Sequence, residues 1–300
     1  MYKHDALNII QFNDVPELGA YCLKENIYLS ESESFGTEWT ANLSAVKAAE
    51  ICITGDMAQV NAASKMMDKF SLLIDSVTYM DMPSVAGAYP CVPEAISGEI
   101  ESMRMPEQVS SDSAPLTVLV DVSCSSVVDA ETMRKRGTAI LAAVMALSAH
   151  RAVTLMLTCI MEGPRRPDAN GDQFSIVTVN INTTPLDLAT AAYALTNVGF
   201  ARQLMYGVSK QKLNGMALGG NFGEFSGLPR IADISFDERP QGFSANSAEY
   251  RERICRYLNI DGEALIVPPA VNGNRTELLL KNPEAWVLAQ MQLYGQRETA

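Results

Sequence analysis

The stretch 116–161 constrains the fold more than any other part of this sequence. Its first residues, Leu116, Val118, Leu119 and Val120, form an apolar run that is too continuous for a strand with one face in water. Runs of this kind are typical of parallel strands buried on both faces. A polar turn at 121–126 and a long apolar segment follow. The pattern predicts a buried strand, a turn, a helix and a second strand.

The elements on either side of this stretch extend the same pattern. Asp129 is suited to cap a helix over 133–149, and Pro185 is suited to the first turn of a helix over 186–198. Further strands are predicted at 152–160, 174–181 and 264–267. Strands that alternate with helices indicate an α/β fold with a mixed or mostly parallel sheet flanked by helices. A strand-turn-helix core of this kind is von Willebrand factor A-like or Rossmann-like.

Charge divides the chain at about residue 112. Residues 1–112 carry 6 basic and 17 acidic side chains, whereas 113–300 carry 17 basic and 18 acidic ones. We therefore predict an acidic N-terminal region with helices near 42–51 and 57–70. Its passage 82–93 contains three prolines and is expected to lack regular structure. Residues 113–300 would form the α/β core, with a basic glycine-rich loop and C-terminal helices. One continuous domain is an open alternative.

The composition predicts a soluble, folded protein. Hydrophobic residues make up 47% of the chain and charged residues 19%, which is a globular balance. No run approaches the roughly 18 to 20 apolar residues that span a bilayer. The six cysteines are scattered through apolar contexts, as expected of reduced thiols in a cytosol. The formal net charge of −12 argues against a protein that binds polyanions over its whole surface.

The turn after the first core strand reads Asp121-x-Ser123-x-Ser125. This spacing resembles the metal-ion site of von Willebrand factor A domains, where a carboxylate and two hydroxyls meet a divalent cation. Thr183 or Thr184 and Asp233 or Asp237 are candidates for the remaining ligands of such a site. The alternative, which we favour, is that Asp121 and the serines hold a tight turn through local hydrogen bonds.

Covalent catalysis and nucleotide hydrolysis have little support in the sequence. The two histidines, His4 and His150, have no recognisable spacing to Cys124 or Ser123 as a nucleophile. Neither a GxGxxG nor a GxxxxGK[ST] phosphate loop occurs. We therefore expect a protein that is not an enzyme and that needs no cofactor.

Residues 199–230 combine glycines, aromatic residues and cations, with a local charge of +3. Single-stranded nucleic acid is bound by cations that follow the phosphates and by aromatic rings on which bases stack. We expect a mobile loop here, and the alternative is a solvated loop whose phenylalanines cover the core. A second basic group, at 134–136, lies in the first turns of the core helix. These cations would oppose the helix dipole unless they meet an anionic partner. The candidate nucleic-acid-binding residues are Arg202, Tyr206, Lys210, Lys212, Phe222, Arg230, Arg134 and Arg136.

Two short segments of the sequence indicate the biological context of the protein. Residues 87–93 read Gly-Ala-Tyr-Pro-Cys-Val-Pro and residues 133–141 read Met-Arg-Lys-Arg-Gly-Thr-Ala-Ile-Leu. These two segments resemble segments of a family of bacteriophage proteins. Within that setting, the size, acidity and architecture of the chain resemble the single-stranded DNA-binding RNA polymerase cofactors of N4-related phages.

The resemblance implies a protein that binds single-stranded DNA without reading its sequence. It also implies recruitment of a phage-encoded RNA polymerase to exposed template, homo-oligomers, and a location in the cytoplasm of the infected bacterial host. The implied fold is not an OB barrel, and the predicted α/β alternation agrees with that. No binding residue carries over from the resemblance. The alternatives are a divalent-metal-dependent interaction module of the von Willebrand factor A type and a phage structural or assembly protein.

Overall fold

The computed structural model describes most of the chain. The described residues are 7–27, 37–71, 79–108, 115–125, 128–149, 151–162, 174–183, 186–212, 252, 254–256, 258–270 and 277–295. They fall into two compact units: a main unit, Met1–Leu73 with Pro115–Ala300, and a small unit, Ile74–Ala114. No helix among the described residues is long and apolar enough to cross a membrane.

The main unit is built on a five-stranded mixed sheet. Its strands are β1 (Leu7–Phe12), β5 (Leu116–Asp121), β6 (Val153–Glu162), β7 (Phe174–Asn182) and β8 (Glu263–Val267). Their order in the sheet is β1-β7-β6-β5-β8, and only the β6 and β7 pair is antiparallel. The prediction of an α/β fold with a mostly parallel sheet and no closed barrel is confirmed.

All six residues of β5 are buried, as the continuous apolar run predicted. Leu119 packs with Ile160 and Ile266 of the neighbouring strands and with Ile254. A strand that pairs on both edges and is covered on both faces leaves no side chain in water. The loop that follows it is therefore held between layers of the core.

Helices flank the sheet of the main unit. Their bounds are α1 (Val15–Glu25), α2 (Ala45–Thr54), α3 (Val60–Ser71), α5 (Ala130–Ser148), α6 (Leu188–Thr196), α7 (Tyr206–Lys212), α8 (Glu277–Lys281) and α9 (Pro283–Gly295), with a short 3₁₀ turn at Thr37–Thr40. The central helix α5 packs against α3, α6 and α9. Asp129 caps α5, because its carboxylate accepts a hydrogen bond from the backbone N–H of Thr132 at 2.7 Å.

The small unit has a three-stranded antiparallel sheet. It contains β2 (Tyr79–Ser84), β3 (Tyr89–Pro90), the helix α4 (Val92–Ser97) and β4 (Met103–Gln108), in the sheet order β2-β4-β3. The expectation that 82–93 lacks regular structure is wrong. Pro83 and Pro90 lie on the two edge strands and Pro93 in the first turn of α4. These are the positions where a missing N–H costs little.

The N-terminal region is more closely joined to the core than its charge suggested. Strand β1, which we did not predict, pairs with β7 along its whole length and completes one edge of the main sheet. Residues 1–73 thus belong to the same unit as residues 115–300. The composition boundary near residue 112 lies beside the end of the small unit.

The expected mobile loop over 199–230 is helical in its described part. Phe200–Met205 forms a buried π-helical turn that continues into α7. Phe200, Leu204 and Val208 recur every four residues and are all buried, so this segment has the apolar face of a core helix. The rest of the expected loop, residues 213–230, lies outside the described residues.

Candidate nucleic-acid interface

The turn after β5 is organised by local hydrogen bonds. The Asp121 carboxylate accepts from the Ser123 backbone N–H at 2.9 Å, and the Ser123 hydroxyl accepts from the Ile160 N–H at 3.3 Å. Both side chains are fully buried. The loop also continues the pairing of β5 with β8, since the Ala270 N–H donates to the Ser123 carbonyl at 2.9 Å. These contacts agree with the interpretation that we favoured, in which local hydrogen bonds hold a tight turn.

Arg136 projects from α5 into the interior behind this turn. Its side chain is 0% exposed, and its Nη2 donates to the carbonyls of Asp121 at 2.9 Å and Pro268 at 2.8 Å. Among the described residues, its Nε and Nη1 have no hydrogen-bond partner. Burial lowers the pKa of Arg136 to about 10, while the charge of Asp121 opposes that shift. The guanidinium therefore remains protonated at neutral pH and joins the ends of β5 and β8.

Arg202 is the second buried cation, and it comes from the π-helical turn. Its Nη1 donates to the Trp39 carbonyl at 2.8 Å, and its Nη2 donates to the carbonyls of Ser125 and of Val128, the latter at 2.7 Å. The guanidinium also lies 5.0 Å from the centre of the Trp39 ring, within the range of a cation–π contact. Arg202 therefore fastens the turn after β5 to the 3₁₀ turn that carries Trp39.

Tyr206 and two thiols complete this interior group. The Tyr206 hydroxyl donates to the Cys124 carbonyl at 3.0 Å. Burial raises the pKa of Tyr206, Cys124 and Cys159 above their ordinary values. The thiols are thus protonated at neutral pH and are poor nucleophiles. We call the set Asp121, Ser123, Cys124, Arg136, Cys159, Arg202 and Tyr206 the buried arginine cluster.

The geometry does not favour the metal-binding alternative at Asp121. The charge of Arg136 already acts on Asp121, and the Ser123 hydroxyl is engaged with the main chain. A divalent cation placed beside the carboxylate would face a fixed guanidinium charge in a medium of low dielectric constant. Within the described part of the chain, no three His, Cys, Asp or Glu side chains are grouped so that they could hold a metal ion.

The other basic residues of α5 face solvent and are paired on their own helix. Arg134 forms an ion pair with Glu131 and donates to Gln59 Oε1 at 2.9 Å. Lys135 lies 3.5 Å from Glu131. An acidic residue in the first turn is favourable next to the helix N-terminus, and it offsets the neighbouring cations. No external anion is needed to explain this basic group.

The structure separates the eight candidate residues into three sets. Arg136, Arg202 and Tyr206 come together around the turn after β5, but they lie in the interior and not in a surface groove. This corrects the expectation that they face nucleic acid, because their donors are used on main-chain carbonyls. Arg134 lies on the surface, and Lys210 is half-buried on α7. Lys212 ends α7. The Lys212 side chain, Phe222 and Arg230 lie outside the described residues.

Sequence reasoning missed Trp39 as a partner of Arg202, and it missed the burial of both arginines. A signal for Arg136 was present, since it lies three residues after Met133 and four before Ile140, on the apolar side of α5. Arg202 likewise lies between apolar neighbours, in Phe-Ala-Arg-Gln-Leu-Met. A cation on the apolar side of a helix can be buried where its donors find partners, but the sequence does not show those partners.

Comparison with known proteins adds a family to this picture. Residues 3–256 match the model of a family described as a domain of unknown function, DUF7192. The search of curated proteins and that of solved structures gave no match. The matched range includes the small unit, the turn after β5 and both buried arginines. The chain therefore belongs to the DUF7192 family.

Proposed function

We propose that this protein binds single-stranded DNA without reading its sequence and recruits a phage-encoded RNA polymerase to it, in the cytoplasm of an infected bacterium. In this proposal the protein is not an enzyme and acts as a homo-oligomer. The DNA-binding segment begins at α7 and continues through residues 213–230, with Lys210, Lys212, Phe222 and Arg230 as its contacts.

The observation that carries the proposal is the anchoring of the helix that leads into this segment. Arg202 and Tyr206 tie the start of that helix to main-chain carbonyls of the turn after β5. Lys210, one turn after Tyr206 on α7, is thus held on an anchored helix. A contact that is already ordered loses less conformational entropy when a flexible polyanion binds. Arg202 and Tyr206 act as supports of the site and not as contacts.

The charge balance also supports a localised site. Most surface cations among the described residues of the main unit have an acidic partner, such as Lys47 with Glu50 and Lys69 with Glu284. Binding to phosphates then depends on the segment 199–230, which has a net charge of +2 when the buried Arg202 is left out. Stacking on its aromatic residues would add about 1 to 3 kcal/mol per base.

A fluorescence-anisotropy titration with single- and double-stranded oligonucleotides of the same length tests the proposal. We expect tighter binding to the single strand and no dependence on base sequence. The double variant K210A/K212A should weaken binding to all sequences alike. It should also lower the slope of log affinity against log salt by about 1.4, from about 0.7 for each phosphate contact on a single strand.

The matched control is K69A/K135A, which removes two exposed lysines of α3 and α5 in the same unit. This variant should bind as the wild type does, because those lysines are paired with Glu284 and Glu131 and lie on other helices than α7. Equal binding of single and double strands, or no binding at low salt, would contradict the proposed function. An unchanged salt slope in K210A/K212A would show that the lysines of α7 do not contact DNA phosphates.

A further inference from the structure

The small unit has secondary structure but no described core. From 83 to 105, the residues whose side chains are described, every side chain is exposed or half-buried. The helix α4 likewise has no buried residue. A small antiparallel sheet becomes stable in water only when an apolar face packs against something. The described part of this unit therefore offers apolar side chains on which a partner can pack.

Large apolar side chains are concentrated on this unit. Ile96 and Ile100 are each 81% exposed, and Val92, four residues before Ile96, is on the same side of α4. The exposed large apolar side chains of the small unit are Val85, Tyr89, Val92, Ile96, Ile100 and Met105, against four in the described part of the main unit. Clusters of exposed apolar side chains mark interaction sites. Tyr89 pairs with Arg104, so Tyr89 and Met105 lie on opposite faces of the small sheet. We call the three residues on and just after α4, Val92, Ile96 and Ile100, the small-unit face.

The segment that carries the small-unit face is acidic. Residues 79–108 contain five acidic side chains and one basic one, so their net charge is −4. The single cation, Arg104, is paired with Glu94 of α4. Exposed Glu99 and Glu101 lie on either side of Ile100. Two copies of this face would bring like charges together, whereas a basic surface would meet opposite ones.

We propose that the small-unit face is a protein-docking surface, and that its partner is a protein presenting an apolar pocket edged by lysine and arginine. Ile96 and Ile100 enter the pocket, and Glu99 and Glu101 meet the cations around it. Nucleic acid is not the occupant, because an acidic face repels phosphates. The inference rests on the proposed function for the choice of probe, which is the phage-encoded RNA polymerase.

The test uses the full-length chain and the purified polymerase in biolayer interferometry. The double variant I96S/I100S should bind the polymerase at least about tenfold more weakly, because central apolar anchors carry most of an interface's affinity. The control I53S changes an exposed isoleucine of the main unit and should bind as the wild type does. The charge variant E99Q/E101Q should bind more weakly at low salt, and the difference should vanish at high salt.

Each outcome supports or overturns the inference. Anisotropy with a single-stranded oligonucleotide should be unchanged in I96S/I100S, which separates docking from DNA binding. Absence of DNA binding in the wild type would overturn the proposed function alone. Failure of the wild type to bind the polymerase would overturn both the inference and the recruitment step of the proposed function. Equal binding by the wild type and I96S/I100S would overturn the inference alone. A loss of folding stability in I96S/I100S as large as that of a core substitution would show that the face packs within its own chain, and would also overturn it.

Discussion

Arg136 links two strand ends in the interior of the main unit. Its guanidinium donates to the ends of two parallel strands and lies beside the buried Asp121. Removing one member of a buried charged pair leaves the other charge without a counter-charge. The free energy of unfolding then falls by more than the intact pair contributes to it. The cluster is therefore a point of sensitivity even where it adds little net stability.

We expect Arg136→Met to lower the free energy of unfolding by about 3–5 kcal/mol, because Asp121 loses its cation and two carbonyls lose a donor. Urea denaturation followed by circular dichroism measures this. Arg256→Met is the control, since that side chain is 74% exposed and should change stability by less than about 0.5 kcal/mol. Equal stabilities for the two variants would show that the buried clamp has no structural role.

Asp129 provides a prediction with a defined pH dependence. Its pKa is lowered chiefly by the hydrogen bond from the Thr132 backbone N–H. A lowered pKa in the folded state means that the stabilisation is present above the unfolded pKa of about 3.9, and that it is lost as the pH falls through the lower folded value. The cap thus stabilises α5 at neutral pH and not in strong acid.

At pH 7, Asp129→Ala should lower the free energy of unfolding by about 1 kcal/mol. The gap between the wild type and the variant should shrink in urea titrations repeated below about pH 4. Asp129→Asn is the matched control, since it keeps a capping oxygen without titrating and should remain near the wild type at pH 7. A gap that stays constant with pH would show that the carboxylate charge does not contribute.

At the scale of elements, the packing of α5 on α6 depends on one glycine. A Cβ at Gly137 would lie 2.0 Å from the Leu195 carbonyl oxygen and 2.8 Å from the Thr196 Cα. These are backbone atoms, so the two helices would have to separate. The same close approach keeps Arg136, the preceding residue, at the depth where it reaches the strand ends.

Gly137→Ala should destabilise the protein by about 1–3 kcal/mol through overpacking. The direction of the change in stability is informative, because at a solvent-exposed helix position alanine is more stabilising than glycine by about 1 kcal/mol. Thermal denaturation compares this variant with Lys135→Ala, a change on the exposed side of the same helix that should be nearly neutral. A stabilised Gly137→Ala variant would contradict the close packing of α5 and α6.

At the scale of the whole molecule, the two units differ in how much they bury. Every residue of β5 is buried, whereas no side chain described between 83 and 105 is. Local opening is easiest where few apolar contacts must be broken. The small unit is therefore the part expected to open first and to gain most from a partner.

Hydrogen exchange followed by mass spectrometry should show this difference. Peptides covering β4 should exchange their amides well before peptides covering β5 and β6, since the latter open only with the main unit. The α9 peptide serves as an internal reference for a helix of the main unit. Equal protection of β4 and β5 amides in the isolated protein would contradict the expectation that the small unit opens before the main unit.

Much of the main sheet could be predicted from local sequence. The apolar run at 116–120 indicated a strand buried on both faces, and Asp129 indicated where α5 begins. The prolines at 83 and 90 were misread, because a proline is tolerated on an edge strand and sequence does not show which strands are edges. Pro93 was misread because a proline is also tolerated in the first turn of a helix. The candidate site was harder, since basic and aromatic residues look alike whether they face solvent or the core.

The sequence by itself determined the α/β class, the central strand and helix, and the helix cap, because each depends on residues within a few positions of one another. Only the tertiary structure decided that Arg136 and Arg202 are interior clamps, since their acceptors at Pro268 and Trp39 lie 132 and 163 residues away along the chain. It also decided that β1 joins β7 and that the side chains described between 83 and 105 are not buried. Such outcomes depend on which distant segments meet, and no local pattern encodes that.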